Sequence, residues 1–575
     1  MGVLYKKSRS SKYSRYFEQS ETFSKTYSKY SLSKREYIHT NVDLPEWENG
    51  KAGVPLSWLP NHQDVTIDHT DSHTLVIGPT GSKKSRLVIM PVIRILGNVQ
   101  ARESMIISDP KAELYNRTAS YLQEQGYTIY VLNLRSPRFG DCWNPLDVPY
   151  SFYCNGEIDR SCEFVNDIAE NLIHNKKLTG DPFWEDSAGS LFFGLVLLLF
   201  KLCKEKDMNN SYIHIGNVVR LRNMLFASET KNLLWSYARQ DPIIESALIG
   251  TVETASETRG GILSTFDQKM RIFNIQPNLL NMLSKSNIDF KTVSNTPTAI
   301  YLIMPDEKTG YHGLVSLFIK QSYEYIIFHA QNKKEQDGLH AGVLKQRLNY
   351  VLDEFSSLPT IHDFPAMITA SRSRNIRFIL VIQSMNQLVQ RYGEESETIQ
   401  TNCNNWIFLT SRELPLLRIV SEICGSCQES AKPVLSVAAL QRLDKNSGEV
   451  LILAGRKKPF VTFLPDISRY DNDTYHERCL EQQEVGQLSI LDSGQLFAIF
   501  KNNQEEKFLK EFPMRIPTFE EFLQMKQETE ETDRLAGILS DDVSNELLGE
   551  LVNTVSGNKK LEDSGEIGKE GTLDD

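Results

Sequence analysis

Cysteine is scarce in this chain: eight in 575 residues, at positions 142, 154, 162, 203, 403, 424, 427 and 479. They are too few and too scattered for a disulfide framework, and a reducing compartment fits that usage. The one close pair, Cys424-Gly-Ser-Cys427, is half a zinc site with no second half, and reads as two small residues beside a packed helix. Nothing resembles a secretory leader, because the first 35 residues are polar and have no apolar core. The longest apolar run, AGSLFFGLVLLLF at 188–200, is shorter than the roughly 20 residues that cross a bilayer as a helix, and Glu185 and Asp186 precede it. A buried helix is expected there and no membrane span. A broad basic face is missing too. The net charge is −11, and residues 527–575, with fourteen Asp/Glu and four Lys/Arg, supply −10 of it. The middle is near neutral, which neither requires nor excludes nucleic acid.

What is present falls into segments. Residues 1–50 form a basic, Ser/Tyr-rich arm: nine Lys/Arg stand against two Glu in the first 35 positions. The arm and the acidic tail at 527–575 are expected to be disordered. Within the tail, Val543, Leu547 and Leu551 fall at i, i+4, i+8, one apolar stripe of a short helix that could dock on cargo or a channel component. From about 70, short apolar runs alternate with helical spacing. His73–Ile77, Ser104–Ser108 and Tyr127–Leu132 read as strands. Lys84–Leu96, with a break or kink at Pro91, and Glu113–Glu124 read as helices. Residues 155–290 have helical spacing. Strands return at Thr298–Met304, Leu348–Leu352, Arg377–Ile382, Asn405–Thr410 and Glu449–Ala454. The order predicts an α/β fold with a parallel sheet and an inserted all-α domain. The expected division is a nucleotide-binding domain in two parts, 51–154 and 291–475, split by the all-α domain at 155–290, then an extension at 476–526 and the tail.

The stretch GPTGSKKS at 78–85 sits between a strand and a helix. A phosphate loop works because consecutive backbone N–H groups point inward at the start of a helix, with a Lys for the phosphates and a Ser/Thr hydroxyl for Mg²⁺. Gly78, Thr80, Gly81, Ser82, Lys84 and Ser85 suit that design. Lys83 stands where the pattern wants glycine, and its Cβ is expected to crowd the loop. Downstream, NYVLDE at 349–354 is an apolar strand ending in two acids. Asp353 is expected to hold Mg²⁺ through water and Glu354 to polarise the attacking water. Arg372, in SRSRNI, is the candidate arginine finger for a neighbouring subunit, although Arg374 and Arg377 lie close by. Gln383 ends the next strand and could sense the γ-phosphate.

These motifs, with SDPKAELY (108–115), YVLNLRSP (130–137), WNPL (143–146), DPFWEDSA (181–188), VLDEFSSLP (351–359), VIQSMNQL (381–388) and NCNNWIFL (402–409), resemble the type IV secretion coupling proteins, the TraG/TraD-like branch of the FtsK/HerA P-loop ATPases. The resemblance covers roughly residues 70–470. It implies a RecA-like motor domain with ATP and Mg²⁺, and a cargo-contacting all-α domain. It also implies a homo-hexameric ring, with a monomer as the alternative without DNA. The implied partners are single-stranded DNA, a relaxase and a membrane secretion channel. Carried over, Lys84 and the loop 78–85 take phosphate, Ser85 and Asp353 take Mg²⁺, Glu354 and Gln383 act on the γ-phosphate, and Arg372 is the finger. Two residues depart from the pattern: Lys83 replaces the loop glycine and Ala112 the glycine of a DPKGE motif. Most members also carry N-terminal membrane helices. None is seen here, so a cytoplasmic protein held at the inner membrane face by partners is expected. The competing readings are a non-catalytic cargo receptor with a crippled loop and a motor for another process such as chromosome pumping.

Overall fold

The computed structural model describes residues 28–31, 52–58, 64–97, 102–174, 181–305, 307, 309–332, 342–426, 433–455, 457–470, 480 and 488–501. Most of the basic arm and of 476–526, the tail at 527–575 with its Val543/Leu547/Leu551 stripe, and Cys427 lie outside the described residues. The six described cysteines are unpaired.

Apolar runs buried on both faces favour parallel strands covered by helices, and the chain builds one twelve-stranded sheet on that basis. In chain order its strands are β1 (Ser28–Ser31), β2 (Val54–Trp58), β3 (Asp64–Asp68), β4 (Thr74–Ile77), β5 (Ser104–Asp109) and β6 (Thr128–Asn133), followed by β7 (Thr298–Ile303), β8 (Leu348–Leu352), β9 (Ile376–Ile382), β10 (Asn405–Phe408), β11 (Glu449–Ala454) and β12 (Phe460–Phe463). Across the sheet the order is β1-β3-β2-β12-β11-β10-β4-β9-β8-β5-β7-β6. The run from β10 to β6 is parallel throughout. The run from β10 to β1 is antiparallel. All eight strands expected from apolar runs form within two residues of the expected bounds. The four that were not anticipated are in the antiparallel flank. β2 carries Pro55 and Ser57, and β3 (DVTID) alternates polar and apolar, so neither shows a continuous run. β1 arises inside the arm expected to lack structure, where Ser28–Ser31 pairs with Asp64–Ile67.

Alternating strand residues face two layers. Val76, Ile107, Tyr301, Val351 and Val381 share a core with the helices Met90–Gly97 and Glu113–Glu124. On the other face Phe378 stacks on Tyr350 at 5.0 Å and meets Phe364 edge-on at 5.1 Å. The break expected at Pro91 has a specific form: a π-helical turn, Ser85–Ile89, precedes the α-helix that starts at Met90. Proline offers no N–H to the carbonyl four residues back and its ring crowds it, which favours a wider turn there.

Among the described residues, only helices lie between β6 and β7, from Asp147–Cys154 to Phe290–Val293. At their centre is Pro182–Glu205, capped by the Asp181 side chain on the Phe183 N–H. It is the one described helix long and apolar enough to cross a membrane, and 78% of that apolar stretch is buried against the rest of the protein. The sheet and this helical layer belong to one compact unit. Lys320, on the helix His312–Asn332, joins them, with its ammonium 2.7 Å from Asp167 in the layer and 2.9 Å from Asp363 beside the sheet.

Candidate nucleotide site

Parallel strands deliver their carboxyl ends to one edge, and a crevice there is where such sheets bind ligands. β4, β5, β8 and β9 are adjacent in the parallel run and end in Ile77, Asp109, Leu352 and Ile382. The segments that follow line one cleft of about 240 Å³: Thr80–Arg86 after β4, Asp109–Lys111 at β5, Asp353–Glu354 after β8 and Gln383 after β9.

The loop is built from its glycines. Gly78 donates its N–H to Ile382 O at 3.2 Å, tying the loop to β9, and a Cβ on it would lie 2.5 Å from Ser82 Oγ. Gly81 has φ 79°. Lys83 also takes the left-handed conformation, with φ 66°, so the backbone follows the course a glycine would give it at the cost of local strain. The crowding expected at this position therefore appears as backbone strain, with the loop's path kept. Lys84 is buried, and its Nζ donates to the Gly78 and Pro79 carbonyls at 2.5 and 3.2 Å. Burial holds its pKa below the usual lysine value, opposed by the Asp353 and Glu354 carboxylates. Ser82 Oγ is buried without a hydrogen-bond partner, an orphan donor inside the cradle.

The acids are connected. Asp353 is pushed up to about 7, first by burial and then by Glu354, against the pull of Lys84. Its Oδ1 accepts the Glu354 N–H at 2.9 Å. Glu354 stands in the left-handed region at φ 53°. Its Oε1 accepts from Gln383 Nε2 at 3.1 Å, and Gln383 Oε1 accepts from Thr80 Oγ1 at 3.2 Å. A continuous side-chain relay thus runs from loop to glutamine to acid. The oxygens of Ser85 and Asp353 are hard donors. Among the described residues no group of three His, Cys, Asp or Glu could hold a metal alone. That donor set fits an ion such as Mg²⁺, which keeps waters and leans on substrate phosphates.

The structure adds three groups that the motif reading did not name as site residues. Asp109 is buried at the end of β5, pushed up to about 6 by burial against the stabilising Tyr115 N–H, which donates to its Oδ2 at 2.8 Å. Lys111 lines the cleft from the same turn, after which Ala112 takes φ 58° in place of the glycine. Lys445 reaches across to donate to Gly81 O at 3.2 Å. The first two had a signal in the DPK that ends a strand; Lys445 had none.

Arg372 lies elsewhere. It precedes β9, whereas Gln383 follows it, so the two are separated by the length of a seven-residue strand, roughly 20 Å or more. There its Nη2 meets Asp71 Oδ1 at 3.2 Å. Of its neighbours, Arg377 is buried, with Nε on Asn349 Oδ1 and Nη2 on Glu103 Oε2, both 2.7 Å, which makes it a structural cation.

The family model described as Type IV secretory system Conjugative DNA transfer matches residues 19–427. The conjugal transfer protein TraG of Escherichia coli is 25% identical over 355 residues, 58% of this chain and 51% of TraG. VirD4 of Rhizobium rhizogenes is 23% identical over 386 residues, 65% of this chain and 52% of VirD4. The chain spans about half the length of these curated relatives. The solved bacterial conjugative coupling protein TrwBdeltaN70 aligns with a TM-score of 0.49 and 15% identity, over 72% of this chain and 89% of that one.

Proposed function

The chain belongs to the conjugative DNA-transfer family of type IV secretory systems, and from that premise we propose that it is a coupling ATPase, which recruits a relaxase–DNA complex and drives DNA toward a secretion channel with the energy of ATP hydrolysis. The observation that carries the reading is the convergence of the loop 78–85, Asp109, Asp353, Glu354 and Gln383 on one cleft.

In this mechanism the loop N–H groups and Lys84 bind the β- and γ-phosphates. Lys84 would exchange its two backbone carbonyl acceptors for phosphate oxygens. Ser85 and Asp353 would hold Mg²⁺, which supplies charge neutralisation at the transferring phosphoryl group. Glu354 orients a water and accepts its proton as the water oxygen bonds to the γ-phosphorus and the β–γ bridging bond breaks, leaving ADP and phosphate. Gln383, hydrogen-bonded to both Glu354 and Thr80, reports the γ-phosphate to the catalytic acid. Arg372 would act on a neighbouring chain's nucleotide in a ring of like subunits, a reading that its distance from its own cleft supports. Single-stranded DNA would be held through its phosphates, without sequence preference. Channel proteins would keep the assembly at the inner face of the membrane.

The left-handed Lys83 supports a motor over a receptor, because a loop that keeps its path keeps its phosphate-binding N–H groups. The test is ATP turnover with and without single-stranded DNA over a salt series, together with a mixing experiment. DNA should raise turnover, and the increase should fade as salt rises. Chains carrying Arg372→Ala and chains carrying Glu354→Gln should be inactive alone and partly active when mixed. A native chain that binds ATP without turning it over, at every DNA and salt concentration, would leave the receptor as the remaining reading.

A further inference from the structure

The helical layer carries a second feature, far in sequence from the cleft. Asn217, on the helix Ile215–Phe226, is wholly buried, yet its amide is spent on the backbone of another segment. Its Nδ2 donates to Ser489 O at 2.9 Å and to Tyr212 O at 2.8 Å, and its Oδ1 accepts the Leu491 N–H at 3.0 Å. Beside it His214 Nε2 lies 3.0 Å from the same Ser489 carbonyl, and Ser211 Oγ lies 2.7 Å from Ser489 Oγ. Backbone carbonyl and N–H groups are thus read two residues apart, which is how a protein grips an extended peptide.

The gripped segment has its own local order. Asp492 Oδ1 accepts the Gln495 N–H at 2.8 Å and Gln495 Oε1 accepts the Asp492 N–H at 3.3 Å, a reciprocal capping box that starts a helix at residue 493. Leu491 and Leu496 are buried, whereas Ile490 and Phe497 stay exposed. Residues 489–496, SILDSGQL, therefore read as a compact ligand: one extended grip, one capped turn and two leucine anchors. Between Tyr470, in the core, and Leu488 lies enough chain to span tens of ångströms at full extension.

We propose that the surface around Ser211, His214 and Asn217 is a docking site for a short peptide, extended and then helical with two leucines five residues apart, and that residues 489–496 are its resident occupant, held as a releasable latch. Opening it vacates the site for a peptide of the same form. Because the resident segment belongs to the same chain, its binding is intramolecular and a competing peptide meets an occupied site.

The test uses the full chain and a fluorescently labelled peptide of residues 486–499. Leu491→Asp alters the occupant and spares the receptor surface, so it should empty the site and raise the peptide's affinity on the order of tenfold or more over the native chain. Asn217→Ala should remove peptide binding, while ATP turnover stays unchanged. Hydrogen exchange at the Leu491 amide gives a second readout: in the native chain it should occur through local opening and quicken when excess peptide is added. If Leu491→Asp chains, folded by their circular dichroism and turnover, fail to bind the peptide, or if the Leu491 amide exchanges only with the global unfolding that releases Ile107 in β5, the latch is refuted and the contact is ordinary core.

Discussion

The two ends of the same parallel strands treat buried charge in opposite ways. At the amino end, charge is buried and paired. Arg377 is clamped by Glu103 and Asn349, and Arg347 lies 3.5 Å from Glu103 and bonds His69 O. Asn405 donates to Asp68. His73, held neutral with its pKa lowered to about 4 by burial, accepts the Phe378 N–H on Nδ1. At the carboxyl end, charge is buried and mismatched. Lys84 hydrogen-bonds only carbonyls, Asp353 and Asp109 sit with raised pKa values, and Ser82 Oγ has no partner. Backbone strain does not separate the two ends, since Lys83, Ala112 and Glu354 have positive φ at one and Arg102 and Asn375 at the other. Pairing does. A satisfied network specifies the fold; an unsatisfied one is poised for a ligand that completes it. Two groups at the amino end are buried and unpartnered, Thr74 Oγ1 and Arg372 Nε, and Arg372 is the cation proposed to serve a neighbour.

The sharpest way to break this contrast is to mutate one group at each end. Arg377→Leu takes the nearest cation from Glu103, leaving it Arg347 at 3.5 Å and the Asn349 amide, and should cost about 3 kcal/mol of stability, read from the denaturant midpoint, with turnover per folded molecule near native. Glu354→Gln should do the reverse: turnover falls by about 100-fold or more, while the midpoint barely moves. If both variants lose stability equally, the two ends are alike and the contrast fails.

A smaller effect tests the mismatch itself. The folded pKa of Asp353, about 7, is above the unfolded value near 3.8, so the folded chain holds a proton that the unfolded chain releases. Its contribution to stability is therefore greatest at low pH, falls as pH rises from about 4 to about 7, and is fully lost above that. Asp353→Asn should accordingly stabilise the ligand-free chain at pH 8 and lose that advantage near pH 4, which melting curves at the two pH values would reveal. A pH-independent difference would mean that burial is not what raises this acid.

The smallest change expected is at Lys83. A left-handed non-glycine costs on the order of 1 kcal/mol, and glycine's greater unfolded-state freedom offsets roughly 0.5–1 kcal/mol of any gain. Lys83→Gly should leave stability within about 1 kcal/mol of native, as a denaturation series would measure.

How much of this was legible in the sequence follows from the same physics. The parallel strands announced themselves because burial on both faces requires continuous apolar runs, as in β8 (LNYVL) and β9 (IRFILVI). The antiparallel flank did not, because short strands such as DVTID carry no such run. The cleft was readable where chemistry demands fixed spacing, in GPTGSKKS and at Asp353–Glu354. Asp109 lies in the stretch SDPKAELY yet has no spacing rule of its own. Lys445 reaches Gly81 across 364 positions, a proximity that only the fold creates. The grip of Asn217 on Ser489 and Leu491 is of the same kind, since a backbone-reading amide leaves no mark on the residues it reads.

The most direct test of the central claim, that the unsatisfied end of the sheet is a working nucleotide site, is phosphate release by the native chain measured beside Lys83→Gly with Mg²⁺ and ATP. The account predicts turnover by the native chain, with Lys83→Gly altering it only about threefold or less, the scale of the net strain difference. A silent native chain rescued by Lys83→Gly would contradict it and make the lysine a lesion in a motor's fold.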